Sequence, residues 1–390
     1  MGYYAYADRY STTYNNDTGS YSIQQSTMGN EDLTWETKRS WNAGFDFALF
    51  KNRLTGSLEF YTGTTTDLLW SKTLPASAGK TVNSYYTNIG TLRNSGIEFA
   101  LDANVFRSKD INWNINLALA HNKNEFTELD PAIAETGQRY SNSIIRVGGS
   151  SAQAYMVKFA GVNEQGQALY HAQFLLDKDG KRVNQGTLAD GSLDPMSGDT
   201  QVNSYGENPE YGVEEGLVTD ISKATRYDLG DILPTIQGGF GTSLSIYGVE
   251  VSAQFSFQLG GKFYDGSYQQ LMHNALSSEA GKAMHRDLLD AWSETNTGSM
   301  IPRLSNASVD DPGVGSQTPQ DRFLSSSNYL CLNNLSIGYN LPKKWVTPLT
   351  LRGIRVYVAG ENLFLLTARK GMDPRYNLGI GSMTSGGGLA

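Results

Sequence analysis

The chain has 390 residues, enough for a large β-structure, and a formal net charge of −8. Because phosphate binding needs a basic surface, this charge argues against nucleic acid as a partner. Cys331 is the only cysteine, which excludes an internal disulfide and a cysteine-rich metal site. No stretch approaches the roughly 18 apolar residues of a membrane helix. The first residues lack the basic start and apolar core of a signal peptide.

Apolar and polar residues alternate with a period of two along four consecutive segments between residues 41 and 119. This pattern predicts strands with one apolar and one polar face. The segments run to about ten residues or more, the length that a tilted strand needs to cross a bilayer, whereas sandwich strands are usually shorter. The apolar positions are Trp41, Ala43, Phe45, Phe47 and Leu49; Leu54, Gly56, Leu58 and Phe60; Ile97, Phe99, Leu101, Ala103 and Val105; and Ile111, Trp113, Ile115, Leu117 and Leu119.

Two further strand pairs are predicted, at 240–259 and at 325–341 with 352–367. Bacterial barrels have short periplasmic turns and long outer loops. Short and long connections alternate along this chain, so every short one falls on one side of the sheet and every long one on the other, as in a bacterial barrel. The short turns are Lys51-Asn52, Ser108–Asp110, Tyr247-Gly248 and the region after Leu341; the long outer loops are about 70–92, 126–234 and 262–324.

The predicted fold class is all-β: an antiparallel transmembrane β-barrel segment of about eight strands with long extracellular loops. Residues 1–29 are predicted to be an outer loop without a clear strand, and residues 376–390 a flexible tail before a missing last strand. Within 126–234 we expect hairpins, because so long a featureless loop is uncommon. Residues 268–294 carry apolar stripes typical of a helix. Because a bilayer forbids open sheet edges, we expect these strands to belong to a larger barrel.

A series of short motifs runs in order from residue 30 to residue 375. They are Asn30–Glu36, Phe50–Gly56, Tyr61, Thr65–Leu69, Asn88–Gly90, Asn94–Glu98, Trp113, Pro234, Gly238–Phe240, Gly260–Lys262, Ser327–Leu330, Leu332–Leu335, Gly338-Tyr339, Leu341-Pro342, Arg355–Tyr357, Glu361–Phe364 and Asp373-Pro374. Each is weak alone, but in this order they resemble the C-terminal part of SusC/RagA-type TonB-dependent transporters of Bacteroidota. The chain departs from that family at Glu31, where proline is usual, and at Cys331, where arginine is usual.

The resemblance implies a plugged barrel of about 22 strands in the outer membrane of a Gram-negative bacterium, with residues 30–375 as its C-terminal part. It implies import of oligosaccharides, or in some members peptides, with a SusD-like surface lipoprotein as a lid. Energy would come from the TonB complex through parts absent from this chain. The expected partners are therefore the lipoprotein, the TonB complex, membrane lipid and a glycan or peptide substrate, with no enzymatic activity and no cofactor.

Candidate functional residues fall into two groups. Acidic residues on the polar strand faces are predicted to face the lumen, where an acidic stripe is one interpretation and plain wetting of the lumen wall is the preferred one: Glu59, Glu98, Asp102 and Glu250. Tyrosines in loop segments are candidates for substrate contact, because aromatic faces stack on sugar rings. These are Tyr85, Tyr86, Tyr140, Tyr205, Tyr211 and Tyr268. The competing interpretation is that such tyrosines pack loops or lie in interfacial girdles.

The sequence offers no metal or catalytic constellation. Asp177–Gly180 resembles a calcium loop only faintly, because Leu188 stands where a bidentate acid is expected, and a plain turn is the preferred interpretation. Cys331 is predicted to be a small buried residue. A reactive thiol is not expected, because Cys331 has no basic neighbour in sequence. The four histidines lack the spacing of metal ligands: His121, His171, His273 and His285.

Two functional hypotheses follow. The first is part of an outer-membrane importer that works with a SusD-like lipoprotein. The alternative is a secreted β-rich protein that binds glycans or mediates adhesion without transport, which the polar composition and aromatic loops would also fit. The long strands with aliphatic outer faces favour the importer.

Overall fold

The computed structural model describes residues 6–17, 19–74, 82, 84–140, 142–202, 209–273, 281–304, 318–368 and 372–375. Its main element is an eight-stranded antiparallel sheet in which neighbours along the chain are neighbours in the sheet. These eight wall strands are β1 (Thr37–Leu49), β2 (Leu54–Thr66), β3 (Gly90–Arg107), β4 (Ile111–Leu129), β5 (Ile236–Ile246), β6 (Val249–Leu259), β7 (Tyr329–Asn340) and β8 (Arg355–Thr367). The predicted fold class is confirmed.

The strand register places apolar side chains opposite apolar side chains across the whole sheet. In the centre, Leu58 lies opposite Phe99, which lies opposite Leu119 on the next strand. Further along, Phe240 lies opposite Phe255, and their rings stack with centroids 4.7 Å apart. Directly opposed residues point to the same face of a sheet, so these rows form one continuous apolar face and leave the polar residues on the other.

The short connections are tight because of backbone conformations that few residues adopt. Phe50, Lys51 and Asn52 all have positive φ, between 54° and 60°. Tyr247 and Gly248, with φ of 48° and 91°, join β5 to β6 in the two-residue turn typical of hairpins. The longest of the short connections, between β7 and β8, contains the helix Lys343–Val346 and the 3₁₀ turn Thr347–Leu349.

The predicted alternation on β3 fails at its end. The register shifts between Asn104 and Phe106, so that Phe106, and not Val105, lies opposite Trp113. A second bulge occurs in β7, where Asn333 is the extra residue between the partners of Gln254 and Phe255 on β6, and β8 has one extra residue opposite the same place. A bulge inserts one residue that has no partner and moves the following side chains to the other face, which a simple period-two pattern cannot anticipate.

Strands β1 and β8 form the two edges of the wall, and among the described residues each is paired on one side only. Strands β3 and β4 extend further than predicted, because Gly90–Leu92 and Phe126–Leu129 belong to the wall and not to loops. No helix within the described ranges has the length and apolar character needed to span a membrane.

The long connections, 67–89, 130–235 and 260–328, all leave the same end of the wall and carry structure of their own. We call the described parts of 130–235 and 260–328 the cap. The strands outside the wall are Arg9–Asn15, Ser20–Thr27, Leu69–Thr73, Ser84–Asn88, Gln138–Tyr140, Ser143–Ile145, Gln153–Val157, Phe159–Val162, Ala168–Leu175, Val213–Val218, Arg226–Asp231, Lys262–Tyr264 and Leu324–Ser326. The remaining helical segments among the described residues are Pro131–Ala134, Ile221–Lys223, Gly266–Leu271, Arg286–Asp290 and Asp321–Phe323.

The buried core lies in the cap and at the adjoining rim of the wall. One cluster joins the two cap segments, since Met156 packs with Tyr264 and Phe323. A second lies within the first segment around Tyr170 and Phe174. A third joins the rim to the cap and contains Leu68, Trp70, Ile89, Leu92, Phe126, Leu129, Ile133 and Ile145. The cap is therefore a packed body and not a set of free loops.

Two sequence expectations outside the wall are wrong. Residues 1–29 contain a hairpin, Arg9–Asn15 with Ser20–Thr27, which is supported by the cross-strand ring pair Tyr14 and Tyr21 at 4.9 Å. The continuous helix expected at 268–294 is not seen in the described part of that range: the helix Gly266–Leu271 ends before Met272, residues 281–285 are not helical, and Arg286–Asp290 is a separate 3₁₀ turn. Met272, directly after the helix, and Leu288, within the 3₁₀ turn, both pack into the cap core.

Candidate functional site

The polar face of the wall brings two of the predicted acidic residues together. Glu59 on β2 lies directly opposite Glu98 on β3. Both line an open depression of about 470 Å³, together with Gln237 and Tyr329. Asp102, four residues along β3, accepts a hydrogen bond of 2.8 Å from the Asn114 side chain. This part of the polar face therefore presents hydrogen-bond acceptors to the depression that it borders.

Glu250 lies in a different environment. Its carboxylate accepts hydrogen bonds from the Asn340 side chain at 2.6 Å and from Nε of Arg355 at 3.0 Å. It lines a second, smaller depression of about 230 Å³ with Asn112 and Ser243. All four predicted acidic residues are on the polar face, but Glu250 is paired with a cation and so does not extend an unbroken acidic stripe.

The predicted substrate-contacting tyrosines are distributed over separate segments. Tyr85 and Tyr86 are half-buried in the strand Ser84–Asn88, and the backbone carbonyl of Tyr86 accepts a hydrogen bond from Asn30. Tyr211 is exposed in a turn of the cap. Tyr205 and the side chain of Tyr140 lie outside what the structure describes.

The side chain of Tyr268 packs within the cap. Its hydroxyl donates to Asp287 at 3.0 Å, and its ring meets Phe323 edge-on at 5.8 Å. Substrate contact by any of the six tyrosines stays a prediction, and for Tyr268 the packing role has direct geometric support.

The Asp177 turn uses its carboxylate internally. One oxygen accepts hydrogen bonds from the backbone N–H groups of Asp179 and Lys181, both at 2.9 Å. This is the geometry of an Asx turn, so the plain-turn interpretation fits. Within the described ranges, no group of three or more histidine, cysteine, aspartate or glutamate side chains is arranged to hold a metal ion.

Cys331 is fully buried, as predicted, but its neighbour comes from far along the chain. Nη1 of Arg375 lies 3.1 Å from its sulfur, and the same guanidinium makes a bidentate pair with Asp373, with Nη2 at 2.7 Å. The guanidinium lowers the pKa of the Asp373 carboxyl. Sequence reasoning missed Arg375, although it directly follows the Asp373-Pro374 motif.

Charged residues buried in the cap were also missed. Arg322 is packed between the rings of Phe159 and Phe323, with its guanidinium carbon 5.2 and 4.7 Å from the ring centres. Burial lowers the pKa of Arg322 and raises the pKa of neighbouring Asp321. These residues lie in segments with neither periodicity nor a motif, so the sequence contains no signal that marks them.

A sheet of antiparallel strands 11 to 19 residues long, with one apolar and one polar face, defines the chain as part of the wall of a transmembrane β-barrel. The model of the family "TonB dependent receptor-like, beta-barrel" matches residues 3–229. The chain therefore belongs to this family, whose members lie in the outer membrane of Gram-negative bacteria.

Individual relatives agree with the SusC/RagA-type resemblance. The chain is 30% identical to TonB-dependent receptor P3 of Formosa agariphila over 90% of its own length and 32% of that protein. It is 27% identical to TonB-dependent receptor SusC of Bacteroides thetaiotaomicron, over 92% of its length and 32% of SusC. A solved structure of the RagAB peptide transporter matches with a TM-score of 0.67 and 25% identity, covering 96% of this chain and 36% of that one. The chain spans about a third of the length of these relatives.

Proposed function

We propose that the chain forms part of the wall and outer loops of an importer that takes up oligosaccharides or peptides across the outer membrane. The observation that carries this proposal is the two-faced wall. One face is apolar across all eight strands, as lipid contact requires, and the other is polar, as a wet lumen requires. The long connections and the cap would then face the cell exterior.

The exposed apolar face supports this proposal over a secreted binding protein. Trp41, Phe45 and Val358 have 62%, 65% and 76% of their surfaces exposed. Contiguous apolar patches of this kind are rare on soluble proteins, where they mark interfaces or membrane contact. In lipid the same side chains would be solvated favourably, so the wall would need no protein partner on that face.

The unpaired edges support a larger barrel. Strands β1 and β8 each expose a row of backbone N–H and C=O groups in the described structure. Lipid cannot satisfy these groups, and each unsatisfied group costs several kcal/mol. We propose that further strands of the whole transporter pair with both edges.

The relatives support the partner and the substrate class. One relative is called SusC, and the matched solved structure is that of the RagAB peptide transporter. We propose a SusD-like lipoprotein that closes over the cap, and energy supplied by the TonB complex through a plug. Substrate would be captured between cap and lipoprotein, and it would enter when TonB displaces the plug.

The test uses the source bacterium with a tagged copy of the whole gene. Outer membranes are extracted in mild detergent, and the mass and partners of the tagged complex are determined. In parallel, uptake of fluorescent oligosaccharides and of fluorescent peptides is compared between wild type, a deletion strain and cells treated with a protonophore. Co-purification of a lipoprotein and energy-dependent uptake that the deletion abolishes would support the proposal. A product that is soluble without detergent, with unchanged uptake, would overturn it.

A further inference from the structure

The four short connections of the wall, 50–53, 108–110, 247–248 and 341–354, form one continuous rim at the end opposite to the cap. We call these residues the turn rim. Backbone hydrogen bonds join each connection to the neighbouring hairpin: Asn104 N–H to the Arg53 carbonyl at 2.7 Å, Tyr247 N–H to the Asp110 carbonyl at 2.9 Å, and Asn340 N–H to the Gly248 carbonyl at 2.8 Å. The side chains of neighbouring connections therefore share one surface.

The turn rim is basic, although the chain as a whole has a net charge of −8. It contains six cations and a single carboxylate, that of Asp110. All six cationic side chains are exposed, and none forms an ion pair with a residue that the structure describes: Lys51, Arg53, Lys109, Lys343, Lys344 and Arg352. Neutralisation of these charges is thus left to groups outside the described chain.

The connection between β7 and β8 brings three of these cations together. Lys343 and Lys344 lie in its short helix, and Arg352 lies two residues before Ile354. The carbonyl of Ile354 accepts a hydrogen bond of 2.9 Å from the N–H of Leu341, at the other end of the connection. Lys343 and Arg352 are therefore each two residues from the same backbone contact. This connection contains no aspartate or glutamate.

Exposed apolar side chains lie beside these cations. Trp345 and Leu351 expose 56% and 50% of their surfaces, and the Lys344 ammonium lies 5.9 Å from the centre of the Trp345 ring. Strand β8 then continues into the apolar face of the wall, where Val356 and Val358 are exposed. Tryptophan and long basic side chains at the border of a lipid-facing surface are typical of the membrane–water interface, where the cations reach the headgroups.

We propose that the connection between β7 and β8 binds the phosphate groups of anionic phospholipids in the inner leaflet of the outer membrane. Lysine and arginine side chains close to an anionic lipid surface strengthen its attachment, and clusters of them bind lipid headgroups. An acidic protein would match the charge, but it would not account for Trp345 and Leu351 at the border of the lipid-facing surface. The location in the inner leaflet rests on the proposed orientation of the wall, with the cap outside, and not on what is imported.

The experiment uses the whole transporter, purified and placed in nanodiscs with equal amounts of phosphatidylglycerol, which is anionic, and phosphatidylcholine, which is zwitterionic. The photo-reactive amino acid p-benzoylphenylalanine takes the place of Trp345, so an aromatic ring is kept and light links it to the lipid beside it. Mass spectrometry then compares the amounts of the two lipid adducts. Because the lipids are equally abundant, any excess of one adduct measures local preference.

The variants change charge at one end of the wall or at the other. One variant removes the three cations of the connection together: Lys343→Gln, Lys344→Gln and Arg352→Gln. The matched control removes three exposed cations of the cap: Lys178→Gln, Lys181→Gln and Arg286→Gln. A third variant keeps the charge of the connection and changes only the side chains: Lys343→Arg, Lys344→Arg and Arg352→Lys.

We expect about a fivefold or larger excess of phosphatidylglycerol adducts in the otherwise unchanged transporter, in the cap control and in the charge-keeping variant. The glutamine variant of the connection should lose most of this excess. Salt at about 1 M should reduce it too, because the Debye length falls to about 3 Å, whereas a purely apolar contact would not respond. Equal adducts in the unchanged transporter, or an excess that survives the three glutamines, would overturn the proposal.

The same probe in living cells distinguishes a lipid from a protein. An adduct that adds the mass of a phospholipid supports the proposal, and cross-linking chiefly to another protein would overturn it. None of these readouts involves transport, so a failed uptake experiment and a failed lipid site can be told apart.

Discussion

Glu59 and Glu98 face each other on neighbouring strands of the wall, and among the described residues neither carboxylate has a hydrogen-bond or ion-pair partner. Like charges directly opposite on a sheet are destabilising. The pair lines the larger depression of the polar face. Its repulsion therefore lowers the stability of the wall at the place where the two carboxylates offer hydrogen-bond acceptors to the proposed lumen.

Removing one charge of this pair should stabilise the wall. For Glu98→Gln we expect a gain of about 0.2–1 kcal/mol in the free energy of unfolding, as for other like-charged cross-strand pairs. Thermal unfolding of the whole transporter in detergent measures it. The matched control is Glu250→Gln, which removes the charge that Arg355 and Asn340 bind. This variant should be as stable as the wild type or less stable. An equal loss of stability in both variants would show that the Glu98 carboxylate, like that of Glu250, has a stabilising partner.

A charged side chain introduced on the apolar face should destabilise the wall, whereas the same charge on the polar face of the same strand should have little effect. Leu101 lies opposite Gly56 and Leu117, within the apolar rows, and Asp102 follows it on the polar face. We expect Leu101→Lys to cost about 2–4 kcal/mol near the bilayer centre and Asp102→Lys to be mild. The amount of folded transporter in the outer membrane is the readout. Phe47→Lys and Ile115→Lys should behave like Leu101→Lys, and Asn114→Lys like Asp102→Lys; no difference between the two sets would contradict the assignment of faces.

The cap should unfold independently of the wall when its core is damaged. Phe174 is fully buried, and the Arg182 guanidinium packs over its ring at 3.9 Å. Phe174→Ala should cost the cap about 3–5 kcal/mol. Limited proteolysis of intact cells should then cleave the cap while the wall stays assembled. Leu193→Ala, at an exposed position of the same connection, should leave the cleavage rate unchanged.

The segment that covers Cys331 should open in acid. Arg375 lowers the pKa of Asp373, so the stabilisation from this pair is present above the ordinary aspartate pKa of about 3.9 and is lost as pH falls through the lowered value. Reaction of Cys331 with 4,4′-dithiodipyridine, which also reacts in acid, should be slow and constant from neutral pH to about pH 5, and then accelerate.

Asp373→Asn provides the corresponding test at neutral pH. It removes the charge that holds Arg375, so Cys331 should react faster there and show no further acceleration in acid. Asp110→Asn, in a short turn far along the chain, is the control and should behave like the wild type. Slow labelling of Cys331 in Asp373→Asn would mean that Arg375 does not depend on this carboxylate.

The wall could be predicted from the sequence because its two faces meet different solvents. Each strand has to repeat the same alternation, as in Ile97 to Ala103 and Ile111 to Leu119, and turn residues such as Gly248 punctuate it. The bulge near Val105 could not be predicted, since one unpaired residue leaves the local composition unchanged. The short motifs identified the family, which the alternation of apolar and polar residues does not define by itself.

The cap could not be predicted because its contacts join residues that are distant in the sequence. Phe159 contacts Arg322, and Val157 bridges to Gln320, across more than a hundred residues with no shared period. The same holds for the polar face: the sequence marks Glu250 as an acidic residue, but its neutralisation by Arg355 depends on the register of three strands.

The central claim is that one face of the wall meets lipid and the other meets water. The most direct measurement places single spin labels at Phe99, Ala100, Leu101 and Asp102 of β3 in the whole transporter in outer membranes. Electron paramagnetic resonance then compares collision rates with oxygen, which concentrates in lipid, and with a water-soluble nickel chelate. We expect accessibility to alternate with a period of two: labels at Phe99 and Leu101 should collide more with oxygen, and labels at Ala100 and Asp102 more with the nickel chelate. Equal accessibility at all four positions, or the opposite phase, would contradict it.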